Sequence, residues 1–275
     1  MSLVREIRAH PNLAVGGVLA VVVVVVAVVG HVAPPDNPLA VHGGQGLAPP
    51  GPGHWFGTDQ FGRDVLSRVL YGIGLDVVIG LIVAALALVV GSAVGLVSGY
   101  LGGWIDDIVM RAVDILMSFP SFLLALSIAV VLGNNVVNVI FAVTIAYVPY
   151  IVRLMRSSVL TARSADYVLG ARAVGGSRSR VMVLHVLPNA VGASVVQATL
   201  MSGWAILDVS GLSFLGVGIQ PPSPELGVQV AQGASFITSG QWWVSVFPGV
   251  AIIAAVLAFN FLGDYADDKL RGQGS

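Results

Sequence analysis

The residues able to do chemistry are few, and their spacing excludes most of it. A phosphate-cradling G-x-x-x-x-G-K-[ST] loop needs a lysine whose ammonium reaches the β- and γ-phosphates. The chain's single lysine, Lys269, is followed by Leu270 near the C-terminus, so ATP must be hydrolysed elsewhere if it is used at all. There is no cysteine, hence no thiolate ligand, thiol nucleophile or disulfide framework. Ser213, in Gly211-Leu212-Ser213, would need a basic partner to become a nucleophile. The histidines, His10, His31, His42, His54 and His185, all fall outside the middle of the long apolar runs. No catalytic, metal or cofactor site is expected. What remains is a handful of polar groups set in apolar sequence, each a functional hypothesis by default. Asp114 is expected to pair with Arg111, three residues away. Asp208 is the one candidate for meeting a cationic group, interfacial hydration being the alternative. Asn260 and Asp264 are expected to bond to neighbouring helices or backbone.

The elements that must carry these groups are membrane helices. Of 275 residues, 56% are hydrophobic and 10% charged, against about 25% charged in soluble domains. Residues 115–152, 181–207 and 226–263 contain no Asp, Glu, Lys or Arg. A helix crossing about 30 Å of hydrocarbon needs about 20 residues. Six windows qualify: 13–33, 77–97, 112–132, 136–152 (extending toward Ser158), 186–207 and 242–263. The expected fold is therefore all-α, a polytopic membrane protein with six transmembrane helices. The first window exceeds a signal-peptide core of about 7–15 residues and is read as a span that stays. With the N-terminus in the cytoplasm, eleven basic residues, among them Arg5, Arg8, Arg111 and Lys269, lie inside, and only Arg63 and Arg68 outside. The positive-inside rule then puts both termini in the cytoplasm. A net charge of −1, with no basic patch, gives no sign of a nucleic-acid partner.

Three connections are long. Residues 34–57 hold six prolines and six glycines in 24 residues, a composition for turns and extended chain, read as an external linker. Residues 211–241 form either a re-entrant segment or an interfacial loop. Residues 153–185 form a cytoplasmic loop with six of the thirteen basic residues, yet its middle, residues 168–176, is small and apolar. A short helix is predicted there, with Ser164 or Thr161 as cap, Asp166 at its positive end and Gly175-Gly176 as its left-handed stop. Its smooth face suits docking to a partner; lying on the inner leaflet among anionic lipids is the alternative. Gly91, Gly95 and Gly99 suit close helix packing.

The stretch ADYVLGARAVGGSRSRVMVLHVLPNA (residues 165–190) resembles the cytoplasmic EAA loop of the permease subunits of ATP-binding-cassette importers. HWFGTDQFGRDVLSRVLYG (54–72), LSFLGVGIQPPSP (212–224) and LAFNFLGDYADD (257–268) resemble the dipeptide, oligopeptide and nickel branch. Leu169 stands where the signature has its glutamate, and Gly170 where an alanine follows; shape, rather than that glutamate's ion pair, is left to make the fit. The branch often has an acid aligned with Val209, whereas here it is Asp208. The resemblance implies a type I importer permease fold in a bacterial inner membrane. It implies half a translocation path completed by a second permease subunit, two ATPase subunits or domains, and an extracytoplasmic solute-binding protein. It assigns ATPase coupling to Asp166, Tyr167, Leu169, Gly170, Ala171, Arg172, Ala173, Val174, Gly175 and Gly176. Residues 1–72 would be the first span and its external segment, 73–268 a five-helix core with the coupling loop at 153–185, and 269–275 a tail. Dipeptides or oligopeptides are the expected cargo, with a nickel complex or another small solute also compatible. A secondary transporter is the rival reading, but it would typically show internal repeats and interrupted paired helices, and neither is visible.

Overall fold

The computed structural model describes residues 11–272, and among them the chain is helical with turns and no sheet. Arg5, Arg8 and His10 lie outside the described residues. The helices are α1 (Pro11–Val32), α2 (Val65–Leu101), α3 (Gly103–Met117), α4 (Ser121–Leu132), α5 (Val136–Arg163), α6 (Asp166–Ala173), α7 (Arg178–Val181), α8 (Leu187–Phe214), α9 (Leu226–Ala234) and α10 (Trp243–Gly272). Four stretches, Val65–Leu101, Val136–Arg163, Arg178–Phe214 and Trp243–Lys269, are long and apolar enough to cross a membrane. Gly16–Val32 is a shorter apolar helix. α6 marks one pole of the bundle, and residues 34–64 the other.

The window at 112–132 is not one straight helix. α3 and α4 meet at 89° across a break at Ser118–Pro120. Pro120 has no N–H to continue the ladder and drives Phe119 out of the helical region; the average apolarity of the window conceals that interruption.

α2 begins where Asp64 accepts hydrogen bonds from the Ser67 backbone N–H and hydroxyl, both at 2.7 Å. It ends at Gly102 and Gly103, both at positive φ. At 37 residues it is about 55 Å long, well beyond the hydrocarbon thickness. Its main partner is α5. A methyl group added at Gly95 would lie 2.6 Å from the Val152 carbonyl and 2.8 Å from Met155 Cβ. One added at Gly91 would lie 2.6 Å from Ile151 Cβ, and Gly99 faces Arg156 and Val159. The four-residue glycine spacing thus brings two backbones nearly into contact. Gly95→Leu is expected to cost about 1–3 kcal/mol through overpacking, read as a lowered denaturation midpoint in detergent.

The proline- and glycine-rich segment is not a free linker. Thr58 Oγ1 accepts from the Ala48 N–H, and its carbonyl accepts from Trp243 Nε1 at 3.1 Å. Asp36 N–H donates to Ser67 Oγ, and Arg68 donates to the Pro38 carbonyl. Asp36 also accepts from His42 at 2.6 Å, which holds its carboxyl below the ordinary range. His54 bridges Asp64 and Gln45. These bonds fold residues 34–64 into a cap over the start of α2.

Residues 211–241 continue α8, turn, and form α9, which packs against α8, α10 and the first turns of α2. Glu225 caps α9 by accepting from the Val228 N–H at 2.7 Å, and burial pushes its carboxyl up from the usual carboxylate range.

Candidate functional site

Two places carry function-bearing geometry, one at each half of the bundle. The first is α6. It starts at Asp166 without a side-chain cap, because the hydroxyls expected to provide one bond backward instead. Thr161 donates to the Ser157 carbonyl and Ser164 to the Thr161 carbonyl, within the last turn of α5. Its end follows the expected pattern. Gly175, at φ +86°, donates to the Arg172 carbonyl and Gly176 to the Ala171 carbonyl, both at 3.0 Å, which is the Schellman arrangement.

One side of α6 is an anchor. Val168 is fully buried in a cluster with Leu96, Tyr100, Met155, Val159, Val181, Val186 and Ala190, so the ends of α2, α5 and α8 converge on it. Arg172 lies over the Tyr100 ring, 5.1 Å from its centroid. The other side is apolar and exposed: Leu169 is 51% accessible and Val174 87%, with Tyr167 also exposed. Nothing stands within 4 Å of a methyl group added at Gly170 or Gly175. The ten residues from Asp166 to Gly176 singled out in the sequence therefore sit together on one protrusion, while Val168 between them serves the interior.

The connections of α6 are short. Ser164 and Ala165 separate it from α5, and residues 174–177 from α7. From α7 the chain runs through a wider π-helical turn, Met182–Val186, straight into α8. Pro188 in the first turn of α8 supplies no N–H, and the Asn189 amide donates to the His185 carbonyl at 2.7 Å. The Asn189 bond thus ties the first turn of α8 back to the π-helical turn.

The second place is a cavity of about 380 Å³ between α4, α5 and α8, lined by Ser121, Tyr147, Tyr150, Met201, Trp204, Leu207 and Asp208. Asp208 Oδ2 accepts from the Tyr147 hydroxyl at 2.8 Å, and among the described residues its other oxygen has no partner. Tyr147, 61 positions from Asp208, was not singled out from sequence; no spacing rule links them. Asp114, by contrast, pairs with Arg153 of α5 rather than with Arg111. α3 packs against α5, and the pair forms across that contact. No cluster of metal-ligating side chains occurs among the described residues.

Comparison with known proteins agrees with this architecture. Residues 91–272 match the family of binding-protein-dependent transport system inner membrane components. The chain is 42% identical over 224 residues to a dipeptide transport system permease protein of Alkalihalophilus pseudofirmus, covering 82% of this chain and 73% of that one. It is 34% identical over 262 residues to a dipeptide transport system permease protein of Haemophilus influenzae, covering 93% and 88%. A glutathione transport system permease protein of Pectobacterium atrosepticum is 37% identical over 221 residues, covering 80% and 73%. With the family matched over residues 91–272, and with α6 and its anchoring cluster lying inside that stretch, the chain belongs to the binding-protein-dependent inner membrane permeases of ATP-binding-cassette importers.

Proposed function

We propose that this chain imports dipeptides or oligopeptides as one half of a translocation path, and that α6 is the point at which a separate ATPase drives it. The observation that carries this reading is the two-sided character of α6. Its outer residues, Tyr167, Leu169, Gly170, Ala173 and Val174, offer a smooth apolar surface to water, while Val168 ties it to three long helices. A compact apolar knob on a stiff base suits a groove in a partner. Asp166 and Arg172 flank the knob, Ala171 lies on its inner side, and Gly175-Gly176 set the direction in which the chain leaves it. Closure of an ATPase pair around two such knobs would pull on α5 through two residues and on α8 through α7 and the π turn.

The assembly that this implies holds a second permease subunit, two ATPase subunits or domains and an extracytoplasmic solute-binding protein, with both termini of this chain in the cytoplasm. Peptide cargo is favoured because two of the relatives above are named for dipeptides and the third for glutathione, itself a peptide. In proteoliposomes, uptake of L-alanyl-L-alanine is expected only when the whole set and ATP are present. Accumulation by this chain alone, without an ATPase, would overturn the reading.

A further inference from the structure

We propose that the cavity beside Asp208 is a transit site for an ammonium group, and that the group it takes is the free N-terminal amine of a peptide. The proposal rests on the importer reading above and names what the path recognises.

Asp59, Asp106 and Asp114 each have an arginine within ion-pair distance: Arg63, Arg156 and Arg153. Among the described residues Asp208 has no cationic side chain within that distance; Asp76 and Glu225 lack one too, but both are fully buried, whereas Asp208 is half-buried in a membrane-spanning helix and lines a cavity. An intramembrane carboxylate held in that state favours a cation that arrives from outside the chain.

The walls narrow the choice of cation. Tyr147, Tyr150 and Trp204 line the cavity together with Asp208, and the faces of such rings attract ammonium ions. Calcium would need six to eight oxygen ligands and magnesium an octahedral set; here there is one carboxylate, with the Ser121 and tyrosine hydroxyls. The cavity, at about 380 Å³, falls within the range that holds small organic ligands. Trp204 and Leu207 are exposed, so the cavity opens at the surface of this chain. One anionic oxygen without a partner and three aromatic rings suit a primary amine attached to a small residue. Every unblocked peptide carries such an amine.

The chain has no cysteine, which makes a direct test simple. In the complete importer held in lipid nanodiscs, Ser121→Cys places one thiol of this chain at the cavity wall. Its labelling by a cationic and by an anionic methanethiosulfonate can be followed on this chain by mass spectrometry. The cationic reagent is expected to react at least about tenfold faster, since removing one charge-assisted contact changes an affinity by roughly that factor or more. Methylammonium and L-alanyl-L-alanine are expected to slow labelling, and N-acetyl-L-alanyl-L-alanine to leave it unchanged. Adding Asp208→Asn should abolish both the preference and the protection. Adding Tyr147→Phe, which removes the hydroxyl donor but keeps the charge, should preserve both; an Asp208 that serves only to tie α5 to α8 would make the two variants behave alike. Equal labelling by the two reagents, or equal protection by free and acetylated dipeptides, overturns the proposal. The methylammonium arm needs neither ATP nor transport. It therefore reports on the site even if the wild-type importer fails to take up dipeptide, a failure that would count against the importer reading instead.

Discussion

Asp59→Ala is expected to destabilise the folded protein by about 3–5 kcal/mol, the usual consequence of removing one partner from a buried ion pair. Asp59 is the hub of the cap. Its Oδ1 accepts from the Phe61 N–H at 2.8 Å and the Arg63 N–H at 3.0 Å. Its Oδ2 accepts from Arg63 Nε at 2.6 Å and lies 3.7 Å from Arg68 Nε. All three side chains are shut away from water, with accessibilities of 2% for Asp59, 4% for Arg63 and 1% for Arg68. Without the carboxylate, two guanidinium groups would remain buried with no counter-charge among the ion pairs that they make here. Arg68 would keep its bonds to the Pro38 and Ser223 carbonyls, and Arg63 its bond to Gln232, but carbonyl oxygens do not replace a charge. Arg68→Met should cost less, because the Arg63–Asp59 pair survives it. Denaturant titration of the detergent-solubilised protein reads both variants. An Asp59→Ala midpoint equal to that of the wild type would mean that the cap is held by packing instead.

The second large effect concerns activity. Leu169→Asp with Val174→Asp is expected to weaken ATPase binding by about thirtyfold or more, the size of a hot-spot loss of about 2 kcal/mol. Uptake should fall with it. Both side chains are exposed and away from the buried cluster, so the fold should change by no more than about 0.5 kcal/mol. Two carboxylates placed on an apolar contact would have to be desolvated for the groove to close. Binding of the purified ATPase to the permease pair in nanodiscs, alongside a thermal melt, separates lost docking from lost folding. Gly175→Val offers an independent approach. It forces a β-branched residue to φ +86°, at about 1–2 kcal/mol of strain, and should misdirect the chain leaving α6 while leaving the apolar face intact. If the double aspartate variant binds the ATPase as the wild type does, the protrusion is not the docking point.

The long helices were legible because apolar runs of the right length report the solvent around them, whatever their partners. Gly91, Gly95 and Gly99 were legible for a related reason: a four-residue period puts them on one face, and only a closely packed face has a use for it. The end of α6 followed from Gly175-Gly176 because a left-handed residue at that place demands glycine. Its beginning did not follow, since Ser164 and Thr161 had equally good acceptors behind them in α5. Asp114 shows the limit of arguments from nearness. Arg111 is close in sequence, but α3 packs against α5, and Asp114 takes Arg153 from that helix. Composition identified residues 34–57 as turn-forming; that they are pinned depends on Thr58, Ser67, Arg68 and Trp243, which come together only after folding. The Tyr147–Asp208 contact is of the same kind, joining two spans whose pairing no local pattern encodes.

The glycine stripe has one more implication. Where side chains separate two helices, the helices can slide by changing rotamers; where a backbone rests on a backbone there is no such slack. α2 and α5 are joined in the second way at Gly95 and Gly99, where an added methyl group would meet the Val152 and Arg156 carbonyls, so they are expected to travel as a single piece, a keel. Whatever admits cargo must therefore bend at seams filled by larger residues, such as the cavity between α5 and α8 that Tyr147, Trp204 and Asp208 line.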